Sequence, residues 1–90
     1  MALSWPAKDP DEVLDYQLDW SKRILDDAIQ SSEWSVPEGL TKVSDFHAAT
    51  ETTVWLQGGS LDQTYVVLNR IVTIGGRTMD QSVKLKIKAK

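Results

Sequence analysis

The chain of 90 residues contains no cysteine and a single histidine, His47. A disulfide is therefore impossible within the chain, and neither a zinc site nor a Cys-His nucleophile can be assembled from it. No uncharged stretch approaches the roughly 20 apolar residues that a membrane-spanning helix requires. The N-terminus also lacks the basic region and apolar run of a secretory signal, so we expect synthesis in a cytoplasm and no membrane as a partner.

Basic residues are scarce, because 10 Lys and Arg stand against 13 Asp and Glu, which gives a net charge of −3. Phosphate binding depends on a high density of cationic side chains, so this balance argues against nucleic acid as a partner. The charge is uneven along the chain, −8 over residues 1–62 and +5 over residues 63–90. The alternate lysines of the basic end, Lys84, Lys86, Lys88 and Lys90, suit the solvated face of a strand.

Motifs for a catalytic or cofactor site are missing as well. The acidic clusters at 9–12 and 26–27 lack the alternating ligands, central glycine and terminal glutamate of an EF-hand. The Gly-Gly-Ser segment at 58–60 lacks the Lys-Ser/Thr of a phosphate loop, and the two glycines at 75–76 suit a hairpin tip. A domain this small rarely supplies a cleft together with converging polar groups. We therefore expect no enzymatic activity, no cofactor and no metal.

Side chains that favour strands dominate what is present. Val, Ile and Thr account for 20 residues and Trp for four more. Only residues 21–29 carry apolar residues at helical spacing, and Asp26-Asp27 interrupts them. The alternation of apolar and polar residues between glycine- and proline-containing turns predicts strands at 13–20, 29–36, 43–47, 52–57, 63–74 and 78–87.

This pattern of short strands predicts an all-β fold, a small antiparallel Ig-like or fibronectin-like sandwich of about seven strands. Residues 1–12 contain two prolines and no periodicity, so we expect an extended N-terminal arm, with residues 13–90 as the single sandwich domain. The arm should make few contacts with that domain. It should dock on a neighbouring protein through Leu3, Trp5 and Pro6, with Trp5 as the hot spot.

The last two strands are predicted to form a hairpin around the glycines at 75–76. A three-residue loop pairs Arg70 with Asp80, whereas a two-residue loop pairs Arg70 with Gln81. The opposite charges of Arg70 and Asp80 favour the three-residue loop. That register also pairs Tyr65 with Leu85.

The same register turns alternate residues of the hairpin outward. They form an aliphatic stripe that consists of Val66, Leu68, Val72 and Ile74. We expect this stripe to bind a partner, because monomers seldom leave such a row of apolar side chains exposed to water. In the alternative register these four residues belong to the core, and the Tyr65 face is covered only by the stems of Lys84 and Lys86.

The strand pattern also predicts the core. Trp34 stands where Ig-like sandwiches often place a central tryptophan, and Tyr65 fits a tyrosine corner whose hydroxyl bonds back to the preceding loop. The residues expected to be buried between the sheets are Tyr16, Leu18, Trp20, Trp34, Val36, Tyr65, Val67, Ile71, Val83 and Leu85.

Several strings of the sequence resemble one known family. They are WPAKDPDEVLDY at 5–16, SEWSVPEGLT at 32–41 and TVWLQGG at 53–59, followed by matching positions from Tyr65 to Arg77. In this order the chain is similar to small tailed-phage and prophage structural proteins described as fiber-tail adaptor proteins. The resemblance covers nearly the whole chain and implies an Ig-like sandwich, with no catalytic residue to carry over. The aliphatic stripe departs from it, because the family has mostly threonine-like positions there.

Two functions follow as hypotheses. The favoured one is a virion structural protein that acts as a protein-protein adaptor in the neck or tail of a tailed phage. Its partners would be other neck, tail or fiber proteins and a second copy of itself, and it would be made in the host bacterial cytoplasm. The alternative is a β-sandwich module that recognises a surface glycan through exposed aromatic residues, drawn from Trp5, Trp20, Trp34 and Trp55.

Overall fold

A computed structural model describes residues 3–90. The secondary-structure elements in this range are all β-strands. All six predicted strands are present, and the third begins earlier than expected, at residue 40 rather than 43. A short seventh strand lies in the N-terminal arm. The strands are β1 (Leu3–Ser4), β2 (Leu14–Asp19), β3 (Ile29–Ser35), β4 (Leu40–His47), β5 (Glu51–Gly58), β6 (Thr64–Thr73) and β7 (Thr78–Lys86).

The strands form two sheets. One has four strands in the order β1-β7-β6-β3, and the other has three in the order β2-β5-β4. Neighbouring strands are antiparallel except β1, which pairs in parallel with β7. A parallel pair needs a long connection between its strands. The rest of the chain separates β1 from β7 in sequence, so this requirement is met. The predicted all-β sandwich is confirmed, with this one parallel pair added.

The β6-β7 hairpin has the predicted register. Arg70 lies opposite Asp80 and Tyr65 opposite Leu85. The Arg70 guanidinium donates two hydrogen bonds to the Asp80 carboxylate, of 2.8 and 3.0 Å. Gly76 supplies the positive φ, 90°, that the turn requires. The alternative register, with the aliphatic stripe in the core, is wrong.

The core lies between the two sheets. Val36 and Tyr65 are half-buried and pack against its rim. The other eight predicted core residues are buried: Tyr16, Leu18, Trp20, Trp34, Val67, Ile71, Val83 and Leu85. The core further includes Ile24, Ile29, Leu40, Val54, Leu56 and Ile87.

A polar network crosses the core and joins the sheets. Asn69 on β6 is fully buried, and its side-chain oxygen accepts hydrogen bonds from the Thr52 hydroxyl (2.7 Å) and from Trp20 Nε1 (3.2 Å). Its Nδ2 donates to Ser32 Oγ (2.9 Å) and to the backbone carbonyl of Glu33 (3.1 Å). Since Thr52 lies in the three-stranded sheet and Asn69 in the other, these bonds fix how the sheets sit on each other. Satisfying every polar group removes the penalty of burying them.

The predicted tyrosine corner is present at the start of β6. The backbone N–H of Ser60 donates a 2.9 Å hydrogen bond to the Tyr65 hydroxyl. Gly39 lies beside the ring, and a Cβ there would stand 3.0 Å from the hydroxyl oxygen. The corner therefore ties the β5-β6 loop to the turn between β3 and β4.

Asp27 ties the β2-β3 connection to the tip of the hairpin. Its carboxylate accepts hydrogen bonds from the backbone N–H groups of Ala28 (2.8 Å) and Gly75 (3.0 Å) and from Arg77 Nη1 (2.7 Å). The Thr73 hydroxyl, followed by these donors, holds the pKa of Asp27 at about 2, below the usual 3.8.

Trp34 provides a test of the core. Its side chain is 6% exposed, and its indole N–H has no hydrogen-bond partner among residues 3–90. We expect Trp34→Ala to cost about 3–5 kcal/mol through cavity formation and to lower the melting temperature by more than about 10 °C. Trp34→Phe, which keeps most of the apolar volume and removes the unpaired N–H, should cost far less. Thermal unfolding followed by circular dichroism checks both, and an alanine variant that melts near the wild type would contradict this placement.

Asp27 predicts a pH dependence of stability. Because its pKa is lower in the folded than in the unfolded chain, its contribution is fully present above about pH 5 and is lost as the pH falls towards its folded pKa. Asp27→Asn should therefore lower the free energy of unfolding near neutral pH and flatten its decline between pH 5 and pH 2. Asp26→Asn, at the exposed neighbour, is the control. Equal slopes for Asp27→Asn and the wild type in urea titrations at several pH values would refute the assignment.

Candidate protein-binding surfaces

The N-terminal arm lies against the sandwich rather than free of it. Leu3 pairs with Val83, and the Trp5 N–H donates a 2.9 Å hydrogen bond to the carbonyl of Lys84. Lys8 continues this ladder and forms a bridge with Ile87. The expectation that residues 1–12 make few contacts with the domain is wrong for the part that the structure describes. The physical reason is that the edge of β7 has backbone groups to pair and the arm supplies their partners.

Trp5 closes the open side of the sandwich between β7 and β2. Its ring stacks on Tyr16, with centroids 4.7 Å apart, and lies 5.9 Å from the Trp34 ring. Its Nε1 donates a 3.2 Å hydrogen bond to the carbonyl of Gln17 on β2, while its backbone N–H is bonded to β7. Trp5 thus contacts both sheets and covers the core at this edge.

Lys8 anchors the arm a second time. Its side chain is fully buried, and Nζ donates to the carbonyls of Gly58 (2.7 Å) and Asp9 (2.9 Å). Burial lowers the pKa of Lys8, while nearby Glu12 and Asp9 oppose that change. Because Gly58 ends β5, the Lys8 side chain reaches from the four-stranded sheet to the three-stranded one.

Two open clefts flank Trp5. The first, of about 300 Å³, lies between β1 and β2 and is lined by Leu3, Trp20 and Arg23 among others. The second, of about 420 Å³, lies beside Pro6 and Leu14. Leu3 is 45% exposed and Pro6 is exposed, so both remain accessible at the rims of these clefts. A partner-binding role for Leu3, Trp5 and Pro6 stays a prediction.

The aliphatic stripe lies on the outer face of the four-stranded sheet, as predicted from the register. Val66 is 52% exposed, and Leu68 and Val72 are half-buried. Ile74 follows the end of β6 at the base of the hairpin turn and is 71% exposed. The structure therefore brings these four residues together in one row, while it places the arm residues at a different edge of the molecule.

Small polar residues flank the stripe. Leu68 lies between Ser35 on β3 and Ser82 on β7, and Val72 lies between Ser31 and Thr78. Such short neighbours leave the branched side chains projecting from the sheet. The paired side chains of Arg70 and Asp80 interrupt the row halfway along.

A second surface was not predicted from the sequence. Phe46 and Trp55 lie on the outer face of the three-stranded sheet, and Phe46 is 57% exposed. Val54 and Leu56 flank Trp55 in sequence. Because all three residues are apolar, the sequence shows no alternation of apolar and polar residues that would predict an outward-facing Trp55. Phe46 is exposed because it lies on this outer face and on β4, an edge strand, and the edge position is not visible in a local pattern.

The four tryptophans do not form a shared exposed platform. Trp20 and Trp34 are buried, Trp5 packs on Tyr16, and Trp55 is half-buried on the outer face of the three-stranded sheet. The arrangement that the glycan hypothesis requires is therefore not formed by these side chains. Within residues 3–90, no group of three or more His, Asp or Glu side chains is placed to hold a metal ion.

Comparison with known families decides between the two hypotheses. A family model described as "Podophage GP4 fiber-tail adaptor protein gp77" matches residues 8–86, well over half of the chain. The chain belongs to this family. The resemblance noted in the sequence is confirmed, and this fiber-tail adaptor is a virion structural protein that joins other components of the phage tail. Nothing favours the glycan alternative.

Comparison with solved structures agrees with the fold of the adaptor. The chain is similar to the "Solution structure of the PKD domain from KIAA 1837 protein", with a TM-score of 0.54 and 23% identity over 99% of this chain and 79% of that chain. At this identity the likeness concerns the fold, an Ig-like sandwich. A comparison with curated proteins gives no significant match. No helix in residues 3–90 is long and apolar enough to cross a membrane.

The position of Trp5 predicts that the arm contributes to stability. Trp5→Ala removes a stacked, half-buried ring and its hydrogen bond to β2, and we expect a loss of about 2 kcal/mol. Pro6→Ala, which changes an exposed ring next to it, should stay within about 0.5 kcal/mol of the wild type. Urea unfolding monitored by far-ultraviolet circular dichroism measures both. Indistinguishable midpoints for Trp5→Ala and Pro6→Ala would show that the arm does not stabilise the sandwich.

Proposed function

We propose that this fiber-tail adaptor binds a tail, neck or fiber protein, or a second copy of itself, through the aliphatic stripe. The observation that carries the proposal is the row of Val66, Leu68, Val72 and Ile74 on one outer sheet face. Rows of exposed aliphatic side chains are uncommon on monomers, and patches of a few hundred Å² mark interaction surfaces.

The surroundings of the stripe suit a protein interface. Serine and threonine side chains border Leu68 and Val72 on both sides, and polar margins beside apolar side chains are usual in such contacts. Arg70 and Asp80, paired with each other and next to Glu33, can orient a partner through charge complementarity.

A contribution of the arm to partner binding is a separate part of the proposal. Leu3 and Pro6 lie at the rims of the clefts that flank Trp5, where a partner segment can contact the exposed parts of all three side chains. Trp5 is already held by Tyr16, so it offers a preorganised aromatic surface, which reduces the entropy lost on binding.

The remaining parts of the proposed function concern location and chemistry. The adaptor is made in the cytoplasm of the host bacterium and is built into the virion during assembly. It acts without catalysis, which fits a family described as structural adaptors. Its net charge of −3 supports binding to protein rather than to nucleic acid.

Charged substitutions on the stripe test the interface. Leu68→Lys combined with Val72→Lys should leave a folded protein, because both residues face away from the core, and should abolish incorporation into particles assembled in the absence of the wild-type adaptor. The control is Leu25→Lys with Leu61→Lys, which places the same charges on exposed leucines in turns. Circular dichroism reports folding, and immunoblotting of purified particles reports incorporation.

Either of two results would overturn the proposal. A folded stripe variant that enters particles as well as the wild type shows that the stripe is not the interface. A stripe variant that fails to fold, while the turn variant folds, shows that these residues serve the domain rather than a partner.

A further inference from the structure

The outer face of the three-stranded sheet carries the only phenylalanine of the chain and one of its four tryptophans. Phe46 on β4 lies opposite Thr53 on β5, and Ser44 lies opposite Trp55. Side chains alternate along a strand, and Val54 is fully buried in the core, so Thr53 and Trp55 point outward. Their partners Phe46 and Ser44 share that face.

The burial of Thr53 shows that neighbouring side chains cover part of this outer face. Thr53 is only 2% exposed although it points away from the core. Its register neighbours are Gln17 on β2 and Phe46 on β4, and Trp55 is two residues along the strand. Larger side chains beside a threonine are needed to cover it, and these three neighbours are the ones in position to do so. Phe46 and Trp55 therefore lie on either side of one buried threonine, and we call them the aromatic patch.

Acidic residues lie along the β2 side of this patch. Asp15 lies opposite Trp55, and Asp19 lies opposite Glu51. Like charges directly across a strand pair are unfavourable. Asp19 accepts a hydrogen bond from the Ser21 N–H, but none of the three carboxylates takes part in an ion pair within residues 3–90. The carboxylates of this face are therefore not held in direct ion pairs within residues 3–90, and Lys22 lies close enough to Asp19 to offset part of its charge.

The opposite face of the sandwich carries the complementary charge. Lys84 lies opposite Val66 and Lys86 lies opposite Thr64, on the outer face of the four-stranded sheet. Neither lysine takes part in an ion pair in the described part of the chain. Each outer face thus combines exposed apolar side chains with charged ones outside ion pairs. The four-stranded face also carries Glu33, opposite Arg70, so its positive excess is smaller than the negative excess of Asp15, Asp19 and Glu51 on the other face.

We propose that copies of this adaptor associate front to back. The acidic, aromatic face of one copy contacts the basic, aliphatic face of the next, so that Phe46 and Trp55 pack on the aliphatic stripe and the carboxylates face Lys84 and Lys86. The contact is heterologous, because two different surfaces meet, and it produces a ring if the rotation closes. This inference rests on the proposed function of the stripe and names a second copy as the protein that covers it.

Charge reversal on each face tests the arrangement with purified protein. The first variant is Asp15→Lys with Glu51→Lys, and the second is Lys84→Glu with Lys86→Glu; all four side chains are exposed. The control, Asp11→Lys with Glu38→Lys, makes the same charge change as the first variant at exposed positions away from both sheet faces. Light scattering measures the average mass of each sample up to about 1 mM, the range of weak self-association.

We expect the wild type and the control to show masses above 10.1 kDa that rise with concentration and fall as salt is raised. Each face variant alone should remain at the mass of one chain. An equimolar mixture of the two should regain the mass of the wild type, since the reversed charges on one variant complement those on the other. Phe46→Ser should weaken the association without changing any charge.

Three results would overturn the inference. The first is a wild type that has the mass of a single chain at every concentration. The second is a face variant that associates like the wild type, and the third is a mixture of the two face variants that does not associate. A variant of one face that associates like the wild type points instead to a symmetric contact through the other face. If the wild type is a single chain but the stripe variant still fails to enter particles, the partner of the stripe is another protein and not a second copy. The proposed function then stands, and only this inference is wrong.

Discussion

The structure depends on the buried Asn69 side chain, which holds the two sheets in one relative position. Apolar packing alone is non-directional and tolerates sliding of one sheet over the other. The bonds of Asn69 to Thr52 and Trp20 on one side, and to Ser32 on the other, are directional and would be left unpaired by any such displacement. An unpaired buried polar group costs about 1–3 kcal/mol, so the network penalises alternative arrangements. Because this inner contact is fixed, the positions of the two outer faces relative to each other are fixed as well.

Much of the sheet arrangement could be predicted from local signals. The pairing of Arg70 with Asp80 selected one hairpin register, and that register placed every second residue of β6 outside. Tyr65 was predicted as a corner from its position at a strand start, and its bond to Ser60 is present. These features depend on residues close in sequence or on opposite charges in adjacent strands, which a one-dimensional pattern contains.

The arm and the aromatic patch could not be predicted in the same way. Lys8 is a residue type that is rarely buried, and its main partner, the carbonyl of Gly58, is 50 residues away. The prolines and irregular spacing around Trp5 predict an arm that docks on a neighbouring protein, whereas in the structure Trp5 packs on Tyr16 and beside Trp34, which come from two different sheets. Phe46 is exposed because it lies on the outer face of β4, an edge strand of its sheet. All three depend on which elements become neighbours in space, and local periodicity does not report this.

The parallel pairing of the arm with β7 has a mechanical consequence. A fiber exerts force on the protein that attaches it. If the N-terminal arm is tethered to one component and the C-terminal end to another, tension pulls β1 and β7 in opposite directions along their length. The backbone bonds from Trp5 to Lys84, from Lys8 to Lys86 and from Lys88 to Lys8 then bear the load together in shear, instead of breaking one after another as in unzipping. The buried Lys8 side chain adds a link to the second sheet in the same segment, so the attachment of the arm resists extension along the strands more than peeling away from the edge.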